Sequence, residues 1–495
     1  MTTSFITTAI PFVNARPHVG FAYELVLADI LARHRRRRGR DVRFSTGTDD
    51  NSLKNVLAAA REGVPTHELV DRNSAAFRAL AGVLHVEPDD FIATSRDPRH
   101  PIAVEHIWRA CAADLYRKTW EGRYCTGCEA FVDDYVTVCE EHGTTPEPIR
   151  EDNWFFRLSR WREPVKELVT SGRVQIVPDS ARAETLAFLD GDVRDLSVSR
   201  DAQRSGGWGL RVPDDPSQVI YVWFDALASY VSQLGLGGDT ALLERYWQRG
   251  DERVHVIGKG ITRFHAVYWL AFLLSAGLPV PDRIAVHGYL TVDGKKISKS
   301  LNPIEVDPFV ARCGIDAVRW FFARRCRTRV DSDVSVRAIC NAYDLDLADR
   351  LGNLVQRCIG LATKVSDGRV PPRDHALQAI AEALPARVDT ALDAFLVDDA
   401  AAAICDLVDA ANRSLEQTAP WKLTDRDAAA RALYAPLEAA RIAAGELLPF
   451  VPDAARTILA RLGDPSDAPT WGLLEPGREL VVGPPPLPRK QYDAP

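Results

Sequence analysis

The sequence predicts an α/β protein in which a parallel β-sheet is interrupted by an inserted lobe and followed by an all-α domain. Three observations support this fold class. The chain begins with a strand-like run, a turn and an amphipathic helix, which is how a nucleotide-binding α/β unit begins. A further strand-like run, 254–257, lies far downstream of the first two strands. After about residue 341 the apolar residues recur almost entirely at helical spacing.

Length and composition are those of an ordinary folded protein. The 495 residues correspond to about three domains at ~150 residues each. A hydrophobic fraction of 46% and a charged fraction of 26% exclude disordered, collagen-like and coiled-coil chains. The net charge of −7 excludes a nucleic-acid-binding coat over the whole surface, but it is compatible with a local basic face.

No segment is predicted to enter a membrane. The longest uncharged apolar stretch, 266–281, is shorter than the ~20 residues that a membrane span needs. The basic segment of a signal peptide is missing both before this stretch and at the N-terminus. We therefore expect a cytoplasmic protein.

The first α/β unit is defined by its turn residues. Residues 4–13 are rich in Ile, Thr and Phe and predict a strand, and the turn 14–17 ends in proline. Apolar residues at helical spacing then predict a helix from His18, and Gly39 stands where a glycine would stop it. The run 42–44 predicts the second strand.

A basic run, 33–38, lies at the end of the first predicted helix. Cations at a helix C-terminus complement the helix dipole. We interpret the run as a solvated helix end and assign it no site.

Changes in pattern along the chain suggest the domain boundaries. The cysteine-containing segment 111–210 has short strand-like runs between Gly, Pro and Asp and is expected to form a separate lobe. Amphipathic stretches such as 399–415 and 428–448 predict the helical part, and the proline-rich segment 483–488 predicts a surface tail. The resulting intervals are 1–110 and 211–285 for the sheet domain, 111–210 for the insertion, 286–340 for a lysine-rich loop and stem-contact region, 341–460 for the helical domain and 461–495 for the tail.

The turn before the first helix is a candidate phosphate site. It reads Pro17-His18-Val19-Gly20. A helix N-terminus presents unpaired N–H groups and a partial positive charge, so Gly20 would let a phosphate approach and His18 could donate to it. Taken alone, this short match is equally compatible with a histidine that serves only the turn.

A second phosphate site is predicted in the run Lys295-Lys296-Ile297-Ser298-Lys299-Ser300. Lys296 and Lys299 are three residues apart and could place two ammonium groups on one polyphosphate, with Ser298 and Ser300 beside them. The alternative is a solvated basic loop.

Cysteine spacing predicts a structural zinc site. Nine cysteines are too few for a disulfide scaffold in a chain of this length. Cys125-x-x-Cys128 is followed after ten residues by Cys139-x-x-His142, which gives two pairs of soft ligands. A Cys₃His set closes a tetrahedral zinc and leaves no open position for catalysis. Free buried cysteines are the alternative.

His18-x-Gly20 and the Lys-Ile-Ser-Lys-Ser run together resemble the two signatures of class I aminoacyl-tRNA synthetases. Over about residues 4–450 the chain resembles the methionyl-tRNA synthetase family. Four further blocks carry this resemblance in order: Thr46-Gly47-Thr48-Asp49, Tyr221-Val222-Trp223-Phe224-Asp225-Ala226-Leu227, Arg263-Phe264-His265-Ala266-Val267-Tyr268-Trp269 and His287-Gly288-Tyr289-Leu290-Thr291-Val292.

The resemblance implies a Rossmann-like catalytic domain and a division of roles among these residues. Asp49 would hold the ammonium group of the amino acid, as a fixed carboxylate suits a fixed cation. His18, Lys296 and Lys299 would act in catalysis. The other implied ATP contacts are Gly20, Gly258, Ser298 and Ser300. The apolar and aromatic pocket for a thioether side chain would consist of Ile10, Phe12, Trp223, Leu227, Tyr230 and His265.

The resemblance also implies an anticodon site in the helical part. Asn353 and Arg357 are four residues apart and share a helix face, and Trp421 follows Ala419-Pro420. Hydrogen bonding and stacking of a splayed base are the usual means of reading a single-stranded RNA loop. A surface polar pair and a core tryptophan are the alternative.

Six residues at four places in the chain depart from the family pattern. Phe21 replaces a second histidine, Asp50-Asn51-Ser52 replaces Glu-His-Gly, Gly260 replaces an aspartate that contacts ribose, and Phe12 replaces a tyrosine. Loss of one hydrogen bond to the ribose would cost about 1 kcal/mol or more. Together they predict a retuned active site in which ATP binding is weakened but not abolished.

The expected function is ATP-dependent attachment of methionine to its tRNA through an adenylate, by a monomer that uses Mg²⁺ with the nucleotide and a structural Zn²⁺. The expected partners are methionine and the initiator and elongator methionine tRNAs. A paralogue that passes an activated amino acid to a small molecule is the alternative, and the anticodon residues argue against it. A non-catalytic tRNA-binding protein is disfavoured because His18, Lys296 and Lys299 are all present.

Overall fold

The computed structural model describes residues 1–125, 130–132, 136–139, 143–292, 295–296 and 304–490. Five predicted site residues lie outside the described residues: Cys128, His142, Ser298, Lys299 and Ser300.

A six-stranded parallel sheet forms the centre of the first half of the chain. Its strands are β1 (Thr3–Thr8), β2 (Asp41–Thr48), β3 (Asp90–Ala93), β7 (Gln175–Val177), β12 (Glu252–Gly258) and β13 (Arg283–His287). Their order across the sheet is β3-β2-β1-β12-β13-β7, and each neighbouring pair is parallel. The order reverses between β1 and β12, which leaves a crevice at the carboxyl ends where α/β sheets bind ligands. The predicted parallel α/β sheet is confirmed.

The first helix lies where the sequence predicts it. Helix α1 (Val19–Arg37) begins after His18, whose side chain accepts a hydrogen bond from Gly20 N–H. Gly39 follows the helix with φ +74°, a left-handed conformation that glycine adopts without strain. The other helices of this half are α2 (Leu53–Glu62), α3 (Thr66–Val83), α4 (Arg99–Ala110), α7 (Val222–Ser232), α8 (Ala241–Leu243) and α9 (Leu270–Ser275), with π-helical segments at Glu244–Gln248 and Phe264–Trp269.

The segment predicted as an inserted lobe, together with residues 211–220 directly after it, contains two small sheets. Its elements are β4 (Leu115–Cys125), β5 (Ala130–Val132), β6 (Glu147–Phe156), α5 (Leu158–Thr170), α6 (Asp179–Asp190), β8 (Leu196–Ser197), β9 (Ser199–Asp201), β10 (Arg211–Val212) and β11 (Asp215–Ile220). The strand orders are β5-β4-β6-β8 and β10-β11-β9. The predicted interval 111–210 is not one separate lobe, however, because β7 lies within it. β7 pairs with β13 at the edge of the main sheet, where Ile176 is buried.

A connecting region follows β13. It contains β14 (Leu290–Val292), β15 (Lys295–Lys296), α10 (Asp307–Cys313), α11 (Ile315–Arg324) and β16 (Ser332–Asp333). β14 pairs with β15 in antiparallel fashion and with β16 in parallel fashion.

From Val336 to Arg461 the chain is mainly helical, as predicted. It contains α12 (Val336–Tyr343), a π-helical segment (Asp344–Gly352), α13 (Asn353–Val365), α14 (Gln378–Asp393), α15 (Val397–Thr418), α16 (Arg426–Leu447) and α17 (Pro452–Arg461). Asp425 caps α16 by accepting from Asp427 N–H and Ala428 N–H. Within the described ranges, no helix combines the length and apolarity that crossing a membrane requires.

The C-terminal segment is irregular but is not a loose surface tail. Beyond α17 the described residues form no helix, in agreement with the proline-rich composition. Trp471, Leu474 and Leu487 are nonetheless buried against the helical core. The prediction of a surface tail was wrong because these few apolar side chains fill grooves that the helices leave.

The basic run at the end of α1 is also not a solvated helix end. Arg35 is 5% exposed and pairs with Glu252 and with Asp393 of α14. Arg38 pairs with Glu446 of α16, which is 1% exposed. The prediction failed because the carboxylates that pair with these arginines lie far away in the sequence, so the local residues alone do not reveal them. These ion pairs link the first helix of the sheet domain to two helices of the helical domain.

Candidate active site

The candidate site lies at the carboxyl ends of the central strands. Beyond β1 and β2, Phe12 and Asp49 form one further parallel bridge, and Asp49 N–H donates to the Pro11 carbonyl at 2.9 Å. Asp49 is 2% exposed. Ile10, which follows β1 by two residues, is half-buried. The predicted ammonium-binding carboxylate and two predicted pocket residues are therefore neighbours.

Helix α7 supplies one wall of the pocket. Trp223, Leu227 and Tyr230 are spaced by four and three residues and lie on one helix face. The Trp223 ring centroid lies 6.3 Å from Phe12 and 6.3 Å from His265, edge to face in both cases. The sequence-predicted pocket residues are thus brought together around the crevice.

Sequence reasoning missed an aromatic support behind this wall. Phe264 stacks on Trp223 with ring centroids 3.7 Å apart and an interplanar angle of 7°. Phe264 adjoins His265 in one of the sequence blocks, but its contact depends on how the π-helical segment Phe264–Trp269 turns its side chains. The stacking fixes the plane of the Trp223 indole.

Tyr230 and His265 form a buried hydrogen-bonded pair. The Tyr230 hydroxyl lies 2.7 Å from His265 Nε2, and His265 Nδ1 lies 2.9 Å from the Ile261 carbonyl. Because a carbonyl only accepts, Nδ1 carries the ring proton. Burial lowers the pKa of His265 to about 4, so the ring is neutral near pH 7 and Nε2 accepts from Tyr230 O–H. The pocket thus contains an oriented hydroxyl and no imidazolium charge.

A second buried histidine supports Tyr230 from behind. His255 stacks on the Tyr230 ring at 4.0 Å. The Trp269 indole N–H donates to His255 Nε2, and the opposite ring nitrogen lies 2.8 Å from the Thr7 hydroxyl. Burial lowers the pKa of His255 well below its ordinary value, and nearby His265 contributes in the same direction. The sequence did not predict this contact, because a single histidine within a strand is not part of any recognisable motif.

The predicted phosphate site at the start of α1 has a defined local geometry. His18 Nδ1 accepts from Gly20 N–H at 3.0 Å, so a neutral ring carries its proton on Nε2. A Cβ at position 20 would come within 2.9 Å of the His18 ring. A glycine at position 20 therefore leaves room for the His18 ring that caps the helix. The expectation that Gly20 also lets a phosphate approach stays a prediction.

The Glu24 carboxylate lies among the carboxyl ends of β1, β12 and β13. Its Oε1 accepts from Ala9 N–H at 2.8 Å, and its Oε2 lies 3.0 Å from His287 Nε2. A Cβ on Gly258 would lie 3.5 Å from the His287 ring, so the predicted ATP contact Gly258 ends β12 directly beside this pair. Sequence reasoning missed Glu24, although a carboxylate within an apolar helix was a signal that could have found it.

The lysine after Gly258 takes part in an ion pair. Lys259 Nζ lies 2.7 Å from Asp331, and Asp331 also accepts from Tyr289 N–H at 2.8 Å. Gly260, where the family pattern has an aspartate, lies in the 3₁₀ turn Lys259–Ile261.

The lysine-rich signature is described only at its start. The backbone of Lys296 in β15 pairs with Thr291 of β14, just after the carboxyl end of β13. This places the beginning of the run at the same edge of the sheet as His18. The roles of Ser298, Lys299 and Ser300 stay predictions.

Two of the departures from the family pattern have structural roles. Ser52 caps α2 by accepting from Lys54 N–H at 3.0 Å. Asp50 accepts from the Ser95 hydroxyl at 2.9 Å. Burial raises the pKa of Asp50 to about 6, against the opposing effect of its hydrogen bonds. The residues after Asp49 that depart from the family pattern thus make hydrogen bonds of their own.

Two predicted metal ligands lie together in the inserted segment. Cys125 and Cys139 are both buried. Cys125 Sγ lies 3.8 Å from the Thr144 hydroxyl, and Cys139 N–H donates to the Thr144 carbonyl at 2.8 Å. Gly143 follows the predicted ligand position 142 with φ +64°, as a tight knuckle requires. Cys125 and Cys139 thus both contact Thr144, and the zinc site stays a prediction.

The predicted anticodon residues form an exposed group. The Arg357 guanidinium lies 5.2 Å from the Trp421 ring centroid and donates to Glu416 of α15 at 2.8 Å. Trp421 is 43% exposed. Asn353, one helical turn before Arg357, is also exposed. The alternative of a core tryptophan is excluded.

Comparison with known families matches nearly the whole chain. The family described as "tRNA synthetases class I (M)" matches residues 4–140 and 135–359. The family described as "Anticodon binding domain of methionyl tRNA ligase" matches residues 365–478.

Individual relatives match over almost their full length. The chain is 38% identical over 501 residues to the methionine–tRNA ligase of Rhizobium meliloti (strain 1021), with 97% of this chain and 96% of the relative covered. It is 38% identical over 522 residues to that of Mycobacterium tuberculosis (strain CDC 1551 / Oshkosh), with coverages of 99% and 98%. The solved structure of Mycobacterium tuberculosis methionyl-tRNA synthetase in complex with methionyl-adenylate matches with a TM-score of 0.93 at 37% identity, covering 99% of this chain and 100% of that chain.

Proposed function

The chain belongs to the methionyl-tRNA synthetase family, and from this membership we propose the reaction that its site performs. The enzyme is a methionine–tRNA ligase of class I. It uses ATP to convert methionine into methionyl-adenylate and then transfers the methionyl group to tRNA.

One observation supports methionine as the substrate. Asp49 lies beside an apolar aromatic wall formed by Phe12, Trp223 and His265, at the carboxyl edge of the sheet. The carboxylate suits the ammonium group, and the aromatic surfaces suit a polarisable thioether. Tyr230, Leu227 and Ile10 complete the pocket. Because His265 is neutral, it adds no positive charge that would attract an acidic side chain.

In the first step the methionine carboxylate attacks the α-phosphate of ATP in line, and pyrophosphate leaves. His18, Lys296 and Lys299 stabilise the charge that develops on the phosphates. Gly20, Gly258, Ser298 and Ser300 line the nucleotide site. Mg²⁺ would be held mainly by the nucleotide and would there neutralise part of the polyphosphate charge. The position of His18 at the start of α1 supports this role, because a helix N-terminus favours the negative charge of a phosphate.

In the second step the terminal ribose hydroxyl of tRNA attacks the mixed anhydride. No side chain that the structure describes at the site is an obvious general base, so positioning of the two reactants supplies most of the rate. Asn353, Arg357 and Trp421 read the anticodon of the initiator and elongator methionine tRNAs. The exposed Arg357–Trp421 pair supports this, since a flat ring and a guanidinium can stack on splayed bases.

A zinc ion held by Cys125, Cys128, Cys139 and His142 stabilises the inserted segment. All four ligands are protein side chains, so the metal has a structural role. The enzyme works as a cytoplasmic monomer.

Amino-acid-dependent ATP–pyrophosphate exchange tests the proposal. The purified protein is assayed with each common amino acid, with and without methionine tRNA. Exchange with methionine alone, followed by charging of methionine tRNA, is the expected result. Exchange without charging would favour transfer to a small-molecule acceptor, and the absence of exchange would overturn the proposal.

A further inference from the structure

We propose that Asn51 is a positioning residue that orients the Asp49 carboxylate towards the ammonium group of the amino acid. Asn51 connects Asp49 to a buried pair, Asp225 and His100. The inference rests on the proposed role of Asp49 in ammonium binding. Asn51 is one of the departures from the family pattern, so the structure gives this departure a specific task.

The contact to Asp49 is made by the backbone of Asn51. Asn51 N–H donates to Asp49 Oδ1 at 3.3 Å. A hydrogen bond from an N–H group restricts the rotation of a carboxylate, and Asp49 must present its charge to the substrate in a fixed direction. The position of Asn51 therefore contributes to how the Asp49 carboxylate is oriented.

The side chain of Asn51 is tied to a different part of the fold. Its Nδ2 donates to Asp225 Oδ2 at 2.8 Å, across 174 residues of sequence. Asp225 lies in the first turn of α7, two residues after the pocket residue Trp223. The tie thus links the Asp49 segment to the helix that carries the pocket wall.

Asp225 is itself held in place by a buried histidine. Its other oxygen, Oδ1, lies 2.5 Å from His100 Nε2, and His100 Nδ1 lies 3.0 Å from the Ser232 hydroxyl. Asp225 is 1% exposed and His100 is fully buried. Ser232 in turn donates to the Ala228 carbonyl. These contacts join α4 and α7, so Asp225 offers Asn51 a rigid acceptor.

Other residues hold the backbone of this segment through its carbonyl groups. Asn55 Nδ2 donates to the carbonyls of Asp49 and Asp50, at 3.2 and 2.8 Å. The Trp208 indole donates to the Asp50 carbonyl at 2.7 Å. Removing the Asn51 side chain therefore leaves the segment folded and loosens chiefly the orientation of Asp49.

The test uses Asn51→Ala and Asn51→Asp in the full chain. Asn51→Ala removes the tie, and Asn51→Asp places a second carboxylate against Asp225. We expect the KM for methionine in ATP–pyrophosphate exchange to rise ~10-fold in Asn51→Ala and further in Asn51→Asp. The KM for ATP should change less than twofold. Asn412→Asp is the matched control, because its amide donates to carbonyls in the helical half.

A pair of inhibitors separates positioning of Asp49 from general damage to the pocket. Methioninol keeps the ammonium group and the thioether, and 4-(methylthio)butan-1-ol lacks the ammonium group. Asn51→Ala should weaken inhibition by methioninol ~10-fold and leave inhibition by the deaminated alcohol unchanged. Equal weakening of both inhibitors, or of neither, would overturn the inference.

A double-mutant cycle with Asp225→Asn tests the route of the effect. If both residues act through one tie, the combined variant should be hardly worse than Asn51→Ala alone. Fully additive effects would show that Asn51 acts independently of Asp225 and would overturn the inference. Failure of the wild-type enzyme to exchange with methionine would instead contradict the proposed function.

Discussion

Replacement of Trp421 by alanine should weaken tRNA binding without affecting adenylation. Stacking of a base on an aromatic side chain contributes about 1–3 kcal/mol, so the Kd for methionine tRNA should rise ~5- to 150-fold. The indole is 43% exposed and its described ring contact is the Arg357 guanidinium at 5.2 Å. Loss of that cation–π contact costs about 0.5–1 kcal/mol of folding stability, which the protein should tolerate.

The assay compares the Kd for methionine tRNA, measured at one fixed salt concentration, with ATP–pyrophosphate exchange by the same protein. Leu423→Ala is the matched control, because Leu423 lies two residues away with the same 43% exposure but has no ring to stack on a base. We expect a higher Kd for Trp421→Ala and a nearly unchanged Kd for Leu423→Ala. Exchange should be equal in all three proteins.

Two results would refute this reasoning. An unchanged Kd in Trp421→Ala would remove the tryptophan from the anticodon site. Equal losses of tRNA binding and of exchange would show that Trp421 stabilises the whole fold, which its exposure argues against.

Three further predictions concern catalysis, metal and pH. Lys299→Ala should reduce ATP–pyrophosphate exchange by orders of magnitude at nearly unchanged tRNA affinity, and equal exchange would exclude it as a phosphate clamp. Metal analysis should find about one zinc per chain, lost in Cys139→Ser but kept in Cys111→Ser, and a zinc-free wild type would contradict the site. Burial lowers the pKa of His34 to about 4 from its ordinary 6.5, so the unfolded chain binds more protons between these values. The free energy of unfolding should therefore fall by about 2 kcal/mol from this group between pH 7.5 and 5, and denaturant titrations of His34→Gln should show a smaller fall; equal falls would contradict the assignment.

Local signals predicted the pocket well. Trp223, Leu227 and Tyr230 share a face because helical spacing places them there, and Phe12 and Asp49 meet because parallel strands end at the same edge. The supports behind these residues were not predictable in the same way. Phe264 contacts Trp223 only because a helix from another part of the chain packs against α7.

The sequence by itself determined the beginning and end of α1, the helical nature of the C-terminal half and the family. Helix ends depend on hydrogen bonds within a few residues, as His18 and Gly39 show, and such bonds can be inferred from local residues. Family membership depends on motifs that are themselves short and local.

Tertiary structure alone decided which charges are buried and what holds them. From the sequence, Arg35 and Arg38 were interpreted as solvated cations, but in the structure they pair with carboxylates of α14 and α16. Asn51 was interpreted as a lost contact, but in the structure its side chain lies 2.8 Å from Asp225. Removing a charge from water is unfavourable unless a partner compensates for the lost hydration. The partners lie more than one hundred residues away in sequence, so only the folded chain identifies them.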